Sequence, residues 1–455
     1  MTTEPHSLSG VRHDKATDMT RRQFLQRTTA LGLGSTAALA LLNACGTPTV
    51  NAGQLSANIT YWNLFGGGDG VRMVQMEDSF SKSHPNIKLE SVTLAWGAPY
   101  YTKLAMAAAG GRPPDVAISH MTRVPIYAAQ DLLDPFDLNE LAKVGITEDK
   151  FLPNIWERAH YNSKLYTIPL DTHPFVMYYN VDICQKAGLL DGAGNLKPLE
   201  GTTAIIDAFK RAQQVTGSAG VAFEVQGVTP WRIFYSLYSQ LGGQALSADG
   251  KKLVIDDNKA EQALSFMADL TTKSKVAPPT IDYAGAVALF GSGKAAFHWN
   301  GEWEVSTFIN QKSLKFNMVP FPKVFDQYHA QADSHAFILP RQSAVDPNSR
   351  AAVLEFISYM LKTSLTWAQG GHIPAYLPVT NDSQYKQLKP QSNYASVAAE
   401  VSVDPIAWFS GSGSELENQA GAAFQQVLAG QFTTKQGLDQ FKKALQKLLS
   451  LPAPV

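Results

Sequence analysis

The spacing of hydrophobic and polar positions changes repeatedly along the chain. Residues 58–62 (Asn-Ile-Thr-Tyr-Trp), 87–92 and 115–119 are short runs rich in β-branched and aromatic side chains and read as strands. Between them, 70–83 and 100–109 carry apolar residues at helical spacing. Such alternation predicts an α/β sheet with helices on its faces. Residues 175–180 (Phe-Val-Met-Tyr-Tyr-Asn) form the next strong strand pattern, after which helical patterns dominate at 202–215, 231–241 and 257–273. This middle block reads as a second lobe. Strand-like runs return at 316–320 and 335–339, followed by a helix carrying Ala352, Leu354, Phe356, Ile357 and Met360. The chain closes with amphipathic helices at 415–429 and 435–450, the latter placing Leu438, Phe441, Leu445 and Leu448 on one face.

The start of the chain has a different logic. Thr20-Arg21-Arg22-Gln23-Phe24-Leu25 precedes a small apolar stretch, 30–42, and then Leu42-Asn43-Ala44-Cys45. A basic segment, a short apolar segment and a small-residue cleavage site make an export signal. The apolar stretch is short of the ~20 residues that span a bilayer. The Arg-Arg-x-Phe-Leu pattern resembles a twin-arginine signal, and Leu-Asn-Ala-Cys resembles a bacterial lipobox, with Asn43 departing from its commonest form. These resemblances imply removal of residues 1–44 and lipidation of Cys45. Residues 45–57, polar and rich in Thr, Asn, Gly and Ser, read as a flexible tether to the outer face of the membrane.

Composition narrows the partners. A chain of 455 residues with 45% hydrophobic and 17% charged residues is a globular protein of about two domains, not a disordered or coiled-coil one. Basic and acidic residues nearly balance, 38 against 39, and no long Lys/Arg run offers a face to phosphate backbones, which speaks against nucleic acid. Cys45 and Cys184 are too few for a disulfide framework or a cysteine zinc site, and Cys184 reads as a small buried hydrophobe. Gly66-Gly67-Gly68-Asp69-Gly70 and Gly291-Ser292-Gly293-Lys294 match neither a dinucleotide fingerprint nor a P-loop, and no His-Glu-x-x-His or Gly-x-Ser-x-Gly occurs. No cofactor, metal or catalytic residue is expected from these patterns.

Aromatic residues beside polar ones stand out in segments rich in Gly and Pro: Trp62-Asn63, Trp96-Gly97, Ser119-His120, Trp231-Arg232, Trp299-Asn300-Gly301-Glu302-Trp303 and 404–408. Pyranose rings stack their C–H faces on indole or phenol rings, and their hydroxyl rims need both donors and acceptors. A sugar cleft asks for this mixture. Core packing is the expectation for Trp156, Trp367, Tyr178 and Tyr179.

Residues 164–170 (Lys-Leu-Tyr-Thr-Ile-Pro-Leu), continuing through Met177-Tyr178-Tyr179-Asn180-Val181-Asp182 to Lys186-Ala187-Gly188-Leu189, resemble the most characteristic stretch of the family 1 extracellular solute-binding proteins of ABC importers. Residues 61–67, Gly111-Arg112-Pro113-Pro114-Asp115-Val116, and 290–297 with Asn300-Gly301-Glu302-Trp303 resemble further motifs of its sugar-binding branch, in order. The resemblance, from about residue 58 to the C-terminus, implies a type II periplasmic-binding-protein-like fold, with two α/β lobes joined by a hinge of crossing strands. It implies one lobe from 58–178 plus 316–371 and a second from 179–315 plus 372–455, with crossings near 179–180, 316–320 and 371–374. By position it implies a ligand site of Trp62, Asn63, Ser119, His120, Asp171, Trp231, Arg232, Asn300, Gly301, Glu302, Trp303 and Trp408. Trp62 and Trp303 are the expected stacking platforms and Asp171 and His120 the hydroxyl partners; Arg232 and Glu302 are equally suited to local salt bridges. The implied partners are a carbohydrate, membrane permease subunits and a separate ATPase, with the binding protein itself a monomer. Two alternatives stand beside this reading: the same fold holding a glycerol phosphate or other anion, through Arg123 or Arg232, and an exported carbohydrate-active enzyme using a pair such as Asp171 and Glu302.

Overall fold

The computed structural model describes residues 55–453; the expected signal segment, Cys45 and most of the tether lie outside them. Leu55 is buried and Ala57 opens the first strand, so ordered chain begins before the expected tether ends at 57. Apolar contact at Leu55 decides this, and polar composition around it gave no sign of it.

Strands and helices alternate as the pattern predicted through β1 (Ala57–Asn63), α1 (Gly67–Ser83), β2 (Ile87–Thr93), α2 (Ala98–Ala109) and β3 (Val116–His120). Then come β4 (Asp171–Asn180), α3 (Thr202–Thr216), β5 (Ala219–Ala222), α4 (Thr229–Gln240), α5 (Asp257–Ala268) and β6 (Ala295–Gly301). The last part contains β7 (Phe316–Pro320), β8 (Ala330–Asp333), β9 (His335–Pro340), α6 (Pro347–Lys362), β10 (Ile373–Pro374), α7 (Glu415–Leu428) and α8 (Thr434–Ser450). Local chemistry sets several of the boundaries. Asp346 caps α6 through the Ser349 amide with Pro347 in its first turn, and Thr433 with Gln436 forms a reciprocal capping box at the start of α8.

The strands form two sheets. In the first, the order is β2, β1, β3, β9 and a short strand Leu133–Asp134, with β1 parallel to β2 and β3, and β9 antiparallel to β3. In the second, β4 is central and antiparallel to β6, β7, β8 and β10, while β5 extends it beyond β6. Each sheet has its own hydrophobic core. Tyr61, Phe80, Phe337, Phe356 and Trp367 lie in the first, and Phe175, Trp231, Phe234, Trp299 and Phe441 in the second. Trp156 and Trp367 pack in the first core and Tyr178 and Tyr179 in the second, as expected of them, and Cys184 is buried there too. Burial pushes the Cys184 thiol up to about 12, which keeps it protonated and unreactive at neutral pH.

The lobe boundaries differ from those expected. Ile168–Pro169 pairs with β9 in the first sheet, whereas β4, from Asp171 on, belongs wholly to the second. The chain therefore crosses at Leu170, not near 179–180. β7 and β8 also lie in the second sheet, so the return comes at Ser334, between β8 and β9, not at 316–320. Near 371–374 the chain only touches the second sheet, through β10 with Ile373 in the second core; Ala375, Tyr376 and Val379, expected in the second lobe, pack in the first, and the last passage to the second lobe comes between Val379 and Tyr394. All ten residues of β4 are buried, and such a run carries no sign of which sheet it will join. Among the described residues no helix is long and apolar enough to cross a membrane.

Candidate functional site

The crossings at Leu170 and Ser334 bring the ends of β3, β4, β8 and β9 together, and a cavity of about 430 Å³ opens there. Phe65, Asp69, Trp96 and His120 line it from the first lobe; Glu224, Arg232, Tyr283 and Trp303 line it from the second; His173, Asp333 and His335 line it from the crossing strands. Aromatic faces and convergent polar groups in a partly enclosed space are what a small-molecule site needs. A larger hollow of about 760 Å³, around Leu196, Pro320 and Tyr328, lies on the second lobe alone, away from the crossings.

Of the residues expected at the site, His120, Arg232 and Trp303 line this cavity. Trp303 is held by a relay: its Nε1 donates to the Tyr283 hydroxyl at 2.8 Å, Asn300 Nδ2 donates to the same oxygen at 3.1 Å, and that hydroxyl donates to Glu304 at 2.6 Å. Gly301 lies under the indole so closely that a Cβ there would meet the ring at 2.0–2.2 Å. Asn300 and Gly301 thus set the platform from behind and do not line the cavity. Arg232 does, yet its guanidinium is engaged. Nε donates to Glu417 Oε1 at 2.8 Å and Nη2 to Oε2 at 3.3 Å, while its carbon stands 5.6 Å from the Trp303 ring centre and 5.9 Å from that of Trp96. Burial opposes the charge, but Glu417 outweighs it and holds the Arg232 pKa above its usual value.

The other expected residues lie elsewhere. Trp62 alternates to the opposite face of β1 from Tyr61 and Asn63, where Lys103 sits 5.2 Å over its ring at the edge of a separate hollow with Met106. Asn63 is buried and fastens the turn after β1, accepting from the Phe65 amide at 3.1 Å and the Thr93 hydroxyl at 3.1 Å. The Ser119 hydroxyl donates to the His120 carbonyl at 3.0 Å within the buried sheet. Trp231 is a core residue, stacked on Tyr235 at 4.7 Å with its Nε1 donating to Asp404. Trp408 is half-buried against the second core, edge-on to Phe409. In each case the local backbone turns the side chain away from the cleft, and proximity in sequence to a polar neighbour does not report that direction.

Asp171 and Glu302 lie beneath the cavity floor, both fully buried. Four donors reach the Asp171 carboxylate: His173 Nδ1 at 3.0 Å, His335 Nδ1 at 2.8 Å, the His335 amide at 2.9 Å and Trp367 Nε1 at 2.7 Å. Burial pushes the carboxyl up, but the His335 and His173 rings and their hydrogen bonds prevail and hold Asp171 well below the usual carboxylate range. Glu302 Oε1 lies 2.9 Å from His372 Nδ1, while His372 Nε2 contacts Asp69 at 3.0 Å and its ring stacks on Trp367 at 4.4 Å. Burial raises Glu302 to about 7, with His372 opposing the rise. The carboxylates around it, Asp69 first, hold His372 well above an ordinary histidine despite its burial. Asp171, His173, His335 and His372 are the group with metal-ligand spacing among the described residues, their ligating atoms lying within 4.8 Å of one another. With its four donors, Asp171 is satisfied without an ion.

Residues that the sequence reading did not place at the site include Asp69, His173, Glu224, Tyr283, Asp333 and His335. Asp333 ends β8 and takes the Thr122 amide and hydroxyl from the first lobe; burial raises its carboxyl to about 6. Two weak signals existed: Asp171 and His173 share one face of a strand, and His335 starts another. Nothing in the order of residues joins positions 120, 173, 335 and 372.

Two lobes, each with its own sheet and core, with a polar and aromatic cavity where the chain crosses between them at Leu170 and Ser334, define a two-lobed binding protein of the type II periplasmic class. Solved structures share the fold: the GacH receptor of Streptomyces glaucescens GLA.O, solved unliganded and with acarbose, superposes with a TM-score of 0.73 at 19% identity, over 87% of this chain and 99% of that one. The model of the family described as bacterial extracellular solute-binding protein matches residues 65–364, and the chain belongs to that family. Among its relatives is the sn-glycerol-3-phosphate-binding periplasmic protein UgpB of Yersinia enterocolitica, 23% identical over 74% of this chain and 77% of that protein. Another is the arabinooligosaccharide-binding protein of Bacillus subtilis, 24% identical over 63% of this chain and 65% of that protein.

Proposed function

We propose that this protein captures a mono- or oligosaccharide in the interlobe cavity and delivers it to the permease of an ABC importer, anchored outside the cytoplasmic membrane through a lipid on Cys45. The observation that carries the ligand class is the state of Arg232. Among the described residues it is the one guanidinium lining the cavity, and its charge is already met by Glu417, whereas Trp303, Trp96, Tyr283 and Phe65 offer ring surface beside hydroxyl-binding groups. A neutral ligand with apolar ring faces suits that lining; an anion finds no uncommitted guanidinium. Ligand would stabilise the closed form by touching Trp96 and His120 on one lobe and Arg232 and Trp303 on the other.

The first experiment is thermal unfolding of the purified protein against maltose, arabinooligosaccharides, acarbose and sn-glycerol 3-phosphate, with tryptophan fluorescence as a second signal. A ligand at a hundred times its dissociation constant adds about 2.7 kcal/mol. A shift with a sugar and none with the phosphate supports the reading; the reverse sinks it. The second reading, uptake of a glycerol phosphate, has in its favour the likeness to the glycerol-phosphate-binding proteins of Yersinia enterocolitica and Pectobacterium atrosepticum. An enzyme reading finds less support, because Asp171 and Glu302 are buried around histidines rather than facing the cavity. Replacing Cys45 with Ala tests the anchor: the protein should move from the membrane fraction to the soluble one.

A further inference from the structure

The cavity floor contains a histidine pair whose chemistry is set from below. The rings of His173 and His335 lie 4.2 Å apart, tilted by 31°, and both line the cavity. Each turns Nδ1 down to a different oxygen of Asp171, which is itself fully buried. An ionised carboxylate only accepts, so each Nδ1 carries a proton. Burial, with His335 beside it, pulls His173 down to about 3, leaving its ring neutral. Two charged imidazoles at this separation would repel strongly, and His120 adds a third ring 4.7 Å from His335. In a neutral ring with Nδ1 protonated, Nε2 is a bare acceptor. Among the described residues no protein group donates to either Nε2. Asp171 therefore leaves the two Nε2 atoms side by side at the floor of the cavity, that of the neutral His173 ring a bare acceptor.

Resting on the carbohydrate reading above, we propose that His173 and His335 form a subsite that accepts hydrogen bonds from two neighbouring hydroxyls of one sugar unit, and that Asp171 sets its polarity. Such a subsite excludes an ionised phosphate from that end of the cavity. A phosphate dianion has no proton to donate, so its oxygens would face the lone pairs of both Nε2 atoms. Asp171 is a positioning residue here, acting through the imidazoles without touching ligand.

Two measurements test this. Long-range proton–nitrogen spectra of the purified protein labelled with nitrogen-15 histidine, assigned through His173→Asn and His335→Asn, should show both residues protonated at Nδ1 and bare at Nε2 at neutral pH. Calorimetric binding of maltose, arabinobiose and sn-glycerol 3-phosphate to the wild type and these variants is the second. Asparagine puts its amide nitrogen near the place of Nδ1, keeps the bond to Asp171 and removes the acceptor. Each variant should weaken the bound sugar by about threefold to tenfold, the range of one neutral hydrogen bond, with little change in Tm. Asp171→Asn offers an amide donor to one imidazole, drives that ring's proton to Nε2 and should improve phosphate binding relative to sugar. Protons found on Nε2 in the wild type, or sugar affinity equal in the wild type and both asparagine variants, overturn the subsite and leave the carbohydrate reading standing. A wild type that binds sn-glycerol 3-phosphate and neither sugar overturns both.

Discussion

Gly301→Ala is a one-carbon change with a calculable consequence. Gly301 has φ −71° and ψ 157°, ordinary extended backbone, so alanine brings no conformational strain of its own. The new methyl would instead stand 2.0–2.2 Å from three atoms of the Trp303 six-membered ring. Carbon atoms settle at about 3.5–4.0 Å, so the indole must shift by roughly 1.5 Å. That movement breaks its 2.8 Å hydrogen bond to Tyr283 and tilts the ring out of the cavity wall. Overpacking of this kind costs about 1–3 kcal/mol of stability. Removal of a well-seated tryptophan from a binding site costs about 2 kcal/mol or more, and a displaced ring retains part of its contact. Sugar affinity should therefore fall by about 5- to 30-fold, 1–2 kcal/mol at 1.4 kcal/mol per factor of ten. Titration calorimetry with a sugar that binds the wild type, together with thermal unfolding, measures both effects. A double-mutant cycle with Trp303→Leu isolates the cause, because the alanine methyl has no ring to strike in that background. If Gly301→Ala weakens binding equally with leucine at 303, or binds as the wild type does, the platform argument is wrong.

Three further outcomes follow from the same geometry. Trp62→Ala should leave sugar affinity within about twofold, whereas Trp303→Ala should lower it by about 30-fold or more; equal losses measured by calorimetry would return Trp62 to the site. Arg232→Met should leave Glu417 as an unpaired buried charge and destabilise the fold by about 3–5 kcal/mol, while Arg232→Met with Glu417→Leu should recover most of that loss in denaturant titration. Stability should also fall in acid through His298, which burial pulls down to about 4 and whose Nδ1 donates to the Ala222 carbonyl. A histidine depressed in the folded state contributes stability present above its unfolded value of about 6.5 and lost as pH falls toward 4, of order 3 kcal/mol. His298→Gln should flatten the curve of Tm against pH in that window, and an unchanged curve would refute the assignment.

The chain pattern made much of the fold legible. Strand and helix alternation from β1 to β3, the helical middle block and the amphipathic face of α8 with Leu438, Phe441 and Leu445 appear where periodicity put them, because local burial has the period of the element that creates it. The site was legible only in part. His120, Arg232 and Trp303 reach the cavity, yet Trp62 and Trp231 carry the same aromatic-beside-polar signature and point to a separate hollow and to a core. Alternation along β1 sends Trp62 to the other face, and Trp231 turns off α4 into the core against Tyr235 and Phe441, whereas Arg232 beside it reaches the cavity.

By itself the sequence determined the class of fold and the family motifs, since both are written in short-range spacing and in contiguous segments. Tertiary structure alone decided where the chain changes lobes: β4 is buried throughout and would fit either sheet, and only its pairing with β6, β7, β8 and β10 assigns it to the second. It also decided the chemistry of the cavity floor. Asp171 looked like a ligand contact, but His173, His335 and Trp367 converge on it and bury it, so the groups left facing the cavity are the histidines it orients. Asp171 and His335 are far apart in the chain, and the physical reason they act together is that the crossings at Leu170 and Ser334 bring the ends of β3, β4 and β9 to one point.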